Sequence, residues 1–170
     1  HNAGIMRRED LKRSDVTVAE AEITTNLLGP IRLTAALIEH FLAQPRAAIL
    51  TVSSGLAFVP LSLTPAYCAT KAAIHSWTQS LRYQLRDTAI QVTELVPPLV
   101  QTELMGRQHA TNPAAMPLAE YIQETLQILQ EQPDTAEVVV ERVKPQRFAA
   151  RGDYTAFYQA FNDRLAGQNN

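Results

Sequence analysis

The chain has 170 residues, 46% of them hydrophobic, and a formal net charge of −2 at pH 7. This composition suits a globular α/β domain, and a charge so close to zero gives no indication of nucleic-acid binding. The apolar runs are too short to cross a membrane. Cys68 is the single cysteine, which excludes an internal disulfide and indicates a reducing compartment, so we expect a cytoplasmic protein.

The first predicted helix covers Val18 to Leu42, where apolar residues recur at the helical period, and Asp15 or Thr17 is expected to cap its start. Gly29-Pro30 interrupts this pattern. Because proline has no N–H, the carbonyl of Asn26, four residues earlier, is expected to lack its helical hydrogen bond and to be able to hold a water molecule. The alternative is that Gly29-Pro30 only kinks a packing helix.

Two short runs rich in Val, Ile and Thr predict buried strands at Ala47 to Ser53 and Ile90 to Val96. Between them, Ala66 to Arg86 has the apolar period of a helix. Strands that alternate with helices indicate a parallel sheet with right-handed crossovers, in which ligands bind at the carboxyl ends of the strands. We expect Leu99 to Met116 to form a lid over substrate, in which His109 is either a substrate contact or an ordinary loop residue.

Three further helices are predicted from amphipathic patterns, at Leu118 to Gln130, Thr135 to Lys144 and Asp153 to Leu165. The four histidines have no spacing typical of metal ligands, so no metal site is expected. No repeat, low-complexity tract or linker divides the chain. Residues 1–170 are therefore predicted to belong to one domain.

Tyr67 and Lys71 lie four residues apart near the start of the predicted 66–86 helix and therefore share one helix face. A cation close to a phenol favours the phenolate and lowers the pKa of the tyrosine toward working pH, as a proton-transfer catalyst requires. Ser54 ends an apolar strand thirteen residues upstream, where its hydroxyl could hydrogen-bond a substrate carbonyl. The pair alone would also fit a solvated helix surface, but together with Ser54 and Asn26 it indicates carbonyl reduction or alcohol oxidation.

At these positions the chain resembles the short-chain dehydrogenase/reductase family. The resemblance is carried by four segments of the sequence: His1-Asn2-Ala3-Gly4, Thr51-Val52-Ser53-Ser54-Gly55, Tyr67-Cys68-Ala69-Thr70-Lys71-Ala72-Ala73 and Pro97-Pro98-Leu99-Val100-Gln101-Thr102. His1 replaces an Asn of the family pattern, and Pro98 replaces a Gly. The Pro-Pro variant is similar to a bacterial subgroup called DltE-like.

The resemblance implies a Rossmann-type, doubly wound parallel sheet and an NAD(P)-dependent oxidoreductase that interconverts a carbonyl and an alcohol by hydride transfer. In the implied site, Tyr67 donates or accepts the hydroxyl proton, and Lys71 lowers its pKa and binds the nicotinamide ribose. Ser54 polarises the carbonyl, and Asn26 holds a relay water. The implied cofactor-binding residues, for NAD or NADP, are Asn2, Ala3, Gly4, Tyr67, Lys71, Pro97, Val100 and Thr102.

The Gly-rich turn and first strands of the family have no counterpart here, because none of the six glycines belongs to a Gly-x-Gly-x-x-Gly or Gly-x-x-x-Gly-x-Gly pattern. We therefore expect the chain to correspond to the C-terminal two-thirds of the family's domain. Because that turn supplies most phosphate contacts, the 170-residue chain alone is expected to bind dinucleotides weakly and to be inactive.

The resemblance also implies a homodimer, formed through the helices at Val18 to Leu42 and Ala66 to Arg86. Two other functions remain open at this point. One is a truncated, non-catalytic dimerisation or regulatory module of the same fold. The other is a sugar-nucleotide epimerase, which shares the Tyr-x-x-x-Lys pattern, although the C-terminal part of this chain is short for a nucleotide-sugar domain.

Overall fold

The computed structural model describes residues 1–13 and 15–166. Its helices and strands are α1 (Thr17–Ile23), α2 (Gly29–Leu42), β1 (Ala47–Val52), α3 (Pro65–Gln84), β2 (Ile90–Val96), α4 (Leu118–Glu131), β3 (Glu137–Val139), α5 (Lys144–Arg147) and α6 (Tyr154–Ala166). Within the described residues, no helix has the length and apolar character that a bilayer span requires.

The three strands form one parallel sheet in the order β1-β2-β3. The backbone of His1 continues this sheet on the free side of β1. Its amino group donates to the Leu50 carbonyl at 2.8 Å, and its own carbonyl accepts from the Val52 N–H at 3.2 Å. The first residues of the chain therefore lie beside β1, which brings the following residues to the carboxyl end of the sheet.

Most of the helices and strands lie where the sequence predicts them. β2 has the predicted bounds, and β1 ends one residue before the predicted Ser53. α3, α4 and α6 match the helices predicted at 66–86, 118–130 and 153–165 to within two residues at each end. Ile49, Leu85, Ile90 and Val92 are buried together between α3 and the first two strands. This core explains the agreement for α3, β1 and β2, because these elements bury the apolar residues that their sequence patterns indicate.

The helix predicted at Thr135 to Lys144 is wrong. Glu137–Val139 forms β3, which pairs in parallel with β2, and α5 begins only at Lys144. Three consecutive β-branched residues, Val138 to Val140, favour a strand, and both Val138 and Val140 are buried. The open edge of β2 supplied backbone hydrogen bonds that a local helical pattern could not reveal.

The first predicted helix contains an irregular turn. Between α1 and α2, residues Thr24–Leu28 form a π-helical turn, which lies immediately before Gly29-Pro30 and contains Asn26. The Asp15 carboxylate accepts from the N–H of Thr17, the first residue of α1, at 2.9 Å, but the N-cap position is Val16 and the helix has no side-chain cap there. A widened turn in front of a residue without an N–H is a common response to the missing hydrogen bond, and such turns are frequent at functional sites.

A cluster of charged side chains joins α3, β2, β3 and α5. The fully buried Glu94 lies 2.8 Å from Nδ1 of His75, and Arg147 donates two hydrogen bonds to Glu137, at 2.7 and 3.0 Å. The guanidinium of Arg147 also stacks on Phe58, 4.5 Å from the ring centre. His75, Glu94 and Glu137 have ligand-type atoms within 4.8 Å of one another, but Arg147 already neutralises Glu137. We assign the cluster a structural role.

Replacing Arg147 with Met should lower the free energy of unfolding at neutral pH by about 1 to 3 kcal/mol, because Glu137 would lose both hydrogen bonds. Burial raises the pKa of Glu137, but the hydrogen bonds and charge of Arg147 have the larger combined effect. The net pKa of Glu137 is therefore below its ordinary value of 4.5. The pair therefore stabilises the fold above pH 4.5 and stops doing so as pH falls through the folded-state pKa. Urea unfolding at several pH values measures both effects.

The matched control is Arg13→Met, since Arg13 pairs with Asp10 at 3.5 Å but has a side chain that is 82% exposed. Its loss should change the free energy of unfolding by at most about 0.5 kcal/mol. An equal loss of unfolding free energy in the two variants would contradict the structural role of the cluster. So would a loss in Arg147→Met that persists in acid.

Candidate active site

The four residues predicted to be catalytic lie together at the carboxyl end of β1. Tyr67 and Lys71 are 6% exposed, Ser54 is 7% exposed and Asn26 is 2% exposed. Ser54 follows β1, Tyr67 and Lys71 lie on the first turns of α3, and Asn26 lies in the π-helical turn. Three elements that are distant in sequence therefore supply one buried polar cluster.

Ser54 is held by the turn that follows β1. Its backbone is extended, and its hydroxyl oxygen accepts from the Leu56 N–H at 3.1 Å. The same hydroxyl is close enough to the Tyr67 phenol to lower its pKa. Because accepting from Leu56 leaves the hydroxyl proton of Ser54 available, it can donate to the phenol or to an oxygen bound next to it.

Lys71 lies one helical turn after Tyr67. Its ammonium donates to the carbonyl of Val52 at 2.8 Å and lies 5.5 Å from the centre of the Tyr67 ring. Burial lowers the pKa of Lys71 from 10.5 to about 8. The ammonium is thus fixed by the end of β1 rather than by the phenolic oxygen.

The protonation of Tyr67 differs from the sequence-based expectation. Its pKa lies above the ordinary value of 10.0, and burial is the largest cause. The Ser54 hydroxyl acts in the opposite direction, while the charges of Cys68 and Glu22 raise the pKa further. Desolvation therefore outweighs the influences that lower the pKa, and the phenol holds its proton at neutral pH.

The side chain of Asn26 clamps the backbone that follows Gly4. Its Oδ1 accepts from the Ile5 N–H and its Nδ2 donates to the Ile5 carbonyl, both at 2.9 Å. Nδ2 also donates to Thr70 Oγ1 at 3.2 Å, and that hydroxyl donates to the Tyr67 carbonyl at 2.7 Å. Asn26 therefore ties the start of the chain to α3. The water-holding role of its carbonyl stays a prediction.

Gly4 is the predicted cofactor residue that lies against the cluster. A Cβ placed on Gly4 would be 3.4 Å from Asn26 Oδ1 and 3.9 Å from Lys71 Nζ, so a larger residue would crowd both groups. Asn2 and Ala3, which precede it, are exposed.

The other predicted cofactor residues follow β2. The Pro97 carbonyl accepts from the Gly55 N–H at 3.0 Å, which joins the carboxyl ends of β1 and β2. Val100 forms an isolated bridge with Met116, and Thr102 Oγ1 accepts from the Leu104 N–H at 3.4 Å. These residues surround the strand ends, and their contact with a dinucleotide stays a prediction.

A cavity of about 440 Å³ is lined by Met6 and Met105, and by none of the four residues predicted to be catalytic. Met6 and Met105 pack against the group formed by Tyr67 and Cys68 and also line this cavity. The remaining lining residues come from both walls: Arg7, Arg8, Leu104, Gly106 and Gln108. The predicted lid, 99–116, supplies one wall, and its closing stays a prediction. His109 does not line the cavity.

Sequence reasoning missed three residues that position this site. Glu9 caps α3 by accepting from the Ala66 N–H at 2.8 Å, Glu22 accepts from the Arg7 N–H at 2.7 Å, and Thr70 supports Asn26. One signal was present for Glu22. It precedes Asn26 by four residues, so a helix places both on one face.

Comparison with known proteins shows the family of the chain. A family model described as short chain dehydrogenase matches residues 1–113. The chain is 40% identical over 167 residues to an uncharacterised oxidoreductase of Bacillus subtilis called DltE, with 95% of this chain and 66% of that protein covered. It is 35% identical over 105 residues to an NADP-dependent 3-hydroxy acid dehydrogenase of Schizosaccharomyces pombe, with 61% of this chain and 40% of that protein covered.

Solved structures agree on the fold. A short-chain dehydrogenase from Burkholderia cenocepacia in complex with NADP superposes with a TM-score of 0.76 at 25% identity, covering 97% of this chain and 68% of that one. A short-chain dehydrogenase from Sphingobium yanoikuyae in complex with NADPH gives 0.73 at 26% identity, covering 97% and 62%. The expected Rossmann-type α/β fold is confirmed, and the chain spans about two-thirds or less of the length of most of these proteins.

We expect Lys71 to titrate near pH 8, because burial disfavours its charged form. The chain has only three lysines, Lys12, Lys71 and Lys144, so a lysine-selective ¹³C label gives a spectrum simple enough to assign. In an NMR titration, one Cε signal should move with a midpoint near pH 8, and the Lys71→Met variant should lack that signal.

Lys12→Met and Lys144→Met serve as controls and should leave this midpoint unchanged. A midpoint near pH 8 that survives in Lys71→Met, or the lack of any such midpoint in the unmodified chain, would show that Lys71 is not desolvated as described.

Proposed function

Because the chain belongs to the short-chain dehydrogenase family, we propose that it carries the catalytic residues of an NAD(P)-dependent oxidoreductase that interconverts a carbonyl and an alcohol. One observation carries the proposal: the phenol of Tyr67 is buried at the carboxyl end of a parallel strand, where Ser54 acts on its pKa and the Lys71 ammonium lies 5.5 Å from its ring centre. This is where open α/β sheets bind their ligands.

In the direction of reduction, Tyr67 donates its proton to the oxygen of the substrate carbonyl as negative charge develops there. Ser54 donates a hydrogen bond to the same oxygen and stabilises that charge. In the direction of oxidation the tyrosine accepts the proton from the alcohol. Since burial keeps Tyr67 protonated, the reductive direction begins with the acid already in the required state.

The residues around Lys71 fit the nicotinamide end of a dinucleotide. A glycine stands where a side chain would crowd Asn26 and Lys71, and the ammonium lies beside it to bind ribose hydroxyls. Asn2, Ala3, Gly4, Pro97, Val100 and Thr102 would hold the remainder of this end. When bound, NAD(P) supplies or accepts the hydride. The relatives that contain NADP or NADPH support this assignment.

The substrate is proposed to be a small-molecule carbonyl or alcohol whose oxygen meets Tyr67 and Ser54 and whose remainder extends past Met6 and Met105 into the cavity. A cavity of about 440 Å³ suits a compound of this size. The similarity to a 3-hydroxy acid dehydrogenase makes 3-oxo and 3-hydroxy acids the first compounds to assay. The unpaired thiol of Cys68 supports a cytoplasmic location.

A homodimer through α2 and α3 is part of the proposal. Leu33 on α2 is 51% exposed, and Tyr83 on α3 is 67% exposed. Each of the two helices therefore presents a large exposed side chain that a second copy of the protein would cover.

Tyr67→Phe should reduce turnover by at least about a hundredfold, because phenylalanine has no proton to transfer. The measurement is NADPH oxidation by the protein that carries this chain, with a panel of short 3-oxo acids and aldehydes. Circular dichroism should show an unchanged fold, since the ring that packs against Met6 is retained.

Tyr154→Phe is the matched control, because Tyr154 is 37% exposed and lies on α6, which carries none of the proposed site or interface residues. It should keep normal turnover. Equal turnover in Tyr67→Phe and the unmodified protein, or no turnover of any panel compound by the unmodified protein, would contradict the proposal.

Leu33→Glu should convert the dimer to monomers, because burying a carboxylate in an apolar interface is strongly unfavourable. Sedimentation velocity measures the mass. Leu126→Glu is the control, since Leu126 is 53% exposed but lies on α4, and it should leave the dimer intact. A monomeric unmodified protein, or a dimer that only the α4 variant dissociates, would contradict this interface.

A further inference from the structure

Glu22 is a fully buried carboxylate close to the active site. It lies on α1 and is 0% exposed. Its Oε1 accepts from the Arg7 N–H at 2.7 Å, whereas its Oε2 is buried and has no hydrogen-bond partner among the described residues. One hydrogen bond is little compensation for removing a carboxylate from water.

Glu22 acts on the backbone that packs against the catalytic tyrosine. Asn26 holds Ile5 by two hydrogen bonds, and Glu22, four residues earlier, holds Arg7. Met6 lies between these two anchors and is buried against Tyr67 and Cys68. Asn26 and Glu22 therefore fix Met6, which packs against the side chain of Tyr67.

The ionised carboxylate of Glu22 lowers the stability of the fold. Burial is the largest influence on Glu22 and raises its pKa above the ordinary value of 4.5. The Arg7 N–H and the charge of Arg7 lower this pKa, and the charge of Glu9 raises it. A neutral glutamine could accept the same hydrogen bond without this cost. Polar groups that reduce stability in this way are typical of functional sites.

We propose that Glu22 is a positioning residue of the active site, which fixes residues 5–7 against Tyr67 and places a titratable charge next to the phenol. This inference rests on the proposed function. The titratable and charged groups that face Glu22 come from the two segments packed on α1. Arg7 and Glu9 belong to the segment that follows Gly4, and Tyr67 and Cys68 belong to α3.

The charge on Glu22 acts against the phenolate. Ionised Glu22 raises the pKa of Tyr67, after the larger effect of burial. It raises the pKa of the Cys68 thiol in the same way. With a neutral residue at position 22 this repulsion would be absent, and the phenolate would form at lower pH. The charge of Glu22 therefore helps to set the pH range over which Tyr67 accepts a proton from an alcohol.

The first test compares Glu22→Gln with Glu20→Gln, which removes the same charge from an exposed position on the same helix. The folded chain holds a proton on Glu22 more tightly than the unfolded chain does, so ionisation destabilises the fold as pH rises above 4.5. Glu22→Gln should therefore melt at a higher temperature than the unmodified protein at pH 8, and this difference should vanish near pH 4. Glu20→Gln should show neither effect. A lower melting temperature for Glu22→Gln at pH 8 would overturn the inference.

The second test is the pH profile of alcohol oxidation, followed as NADP reduction with a 3-hydroxy acid that the unmodified protein oxidises. In Glu22→Gln the rising limb should move to lower pH, because the phenolate loses a negative neighbour. Glu20→Gln should keep the original profile. In Glu22→Leu, which also loses the hydrogen bond to Arg7, turnover should fall by about tenfold or more.

These outcomes separate the inference from the proposed function. If Tyr67→Phe is inactive but the profile of Glu22→Gln is unchanged, the inference on Glu22 fails and the function stands. If Tyr67→Phe retains full turnover, the proposed function fails, whatever the melting temperatures show. A purely structural role for Glu22 would lower the stability of the glutamine variant and leave its pH profile in place, which would also overturn the inference.

Discussion

β1 and β2 pair in parallel over six residues, and a parallel pair needs a crossover that returns the chain to the starting end of the sheet. Here that crossover is α3, which carries Tyr67 and Lys71. The hydroxyls of Thr51 on β1 and Thr78 on α3 lie 2.9 Å apart in the core, which fixes the helix on the sheet. The position of α3 therefore follows from strand pairing, and the Lys71 ammonium meets the end of β1 for the same reason.

Burial is the dominant electrostatic influence on the site. It raises the pKa of Tyr67 and lowers that of Lys71 to about 8, so both groups are driven toward their neutral forms. In such surroundings a nearby charge acts more strongly than it would in water. This is why a single hydroxyl from Ser54 and a single carboxylate from Glu22 matter to the acidity of one phenol. In a solvent-exposed Tyr-Lys pair, neither a neighbouring hydroxyl nor a neighbouring carboxylate would change the pKa of the tyrosine as much.

The residues after Gly4 are ordered by side chains rather than by strand pairing. Asn26 binds the backbone of Ile5, Glu22 binds that of Arg7, and Glu9 caps α3 at Ala66. These contacts connect the start of the chain with α1, the π-helical turn and α3. The segment is thereby part of the active-site wall, although it has no regular secondary structure.

The sequence by itself determined the elements whose signal is local. The period of α3, the β-branched run of β2 and the Tyr67-Lys71 pair could all be read from residue order, because neighbours along one helix or strand generate them. Asn26 and Ser54 could be added only through the resemblance to a known family. Only the tertiary structure decided the features that depend on distant partners. Val138 joined a strand because β2 offered an open edge, and the pKa of Tyr67 rose because packing removed water. Glu22 acquired its position in the same way, since its burial depends on a segment fifteen residues away that no local pattern describes.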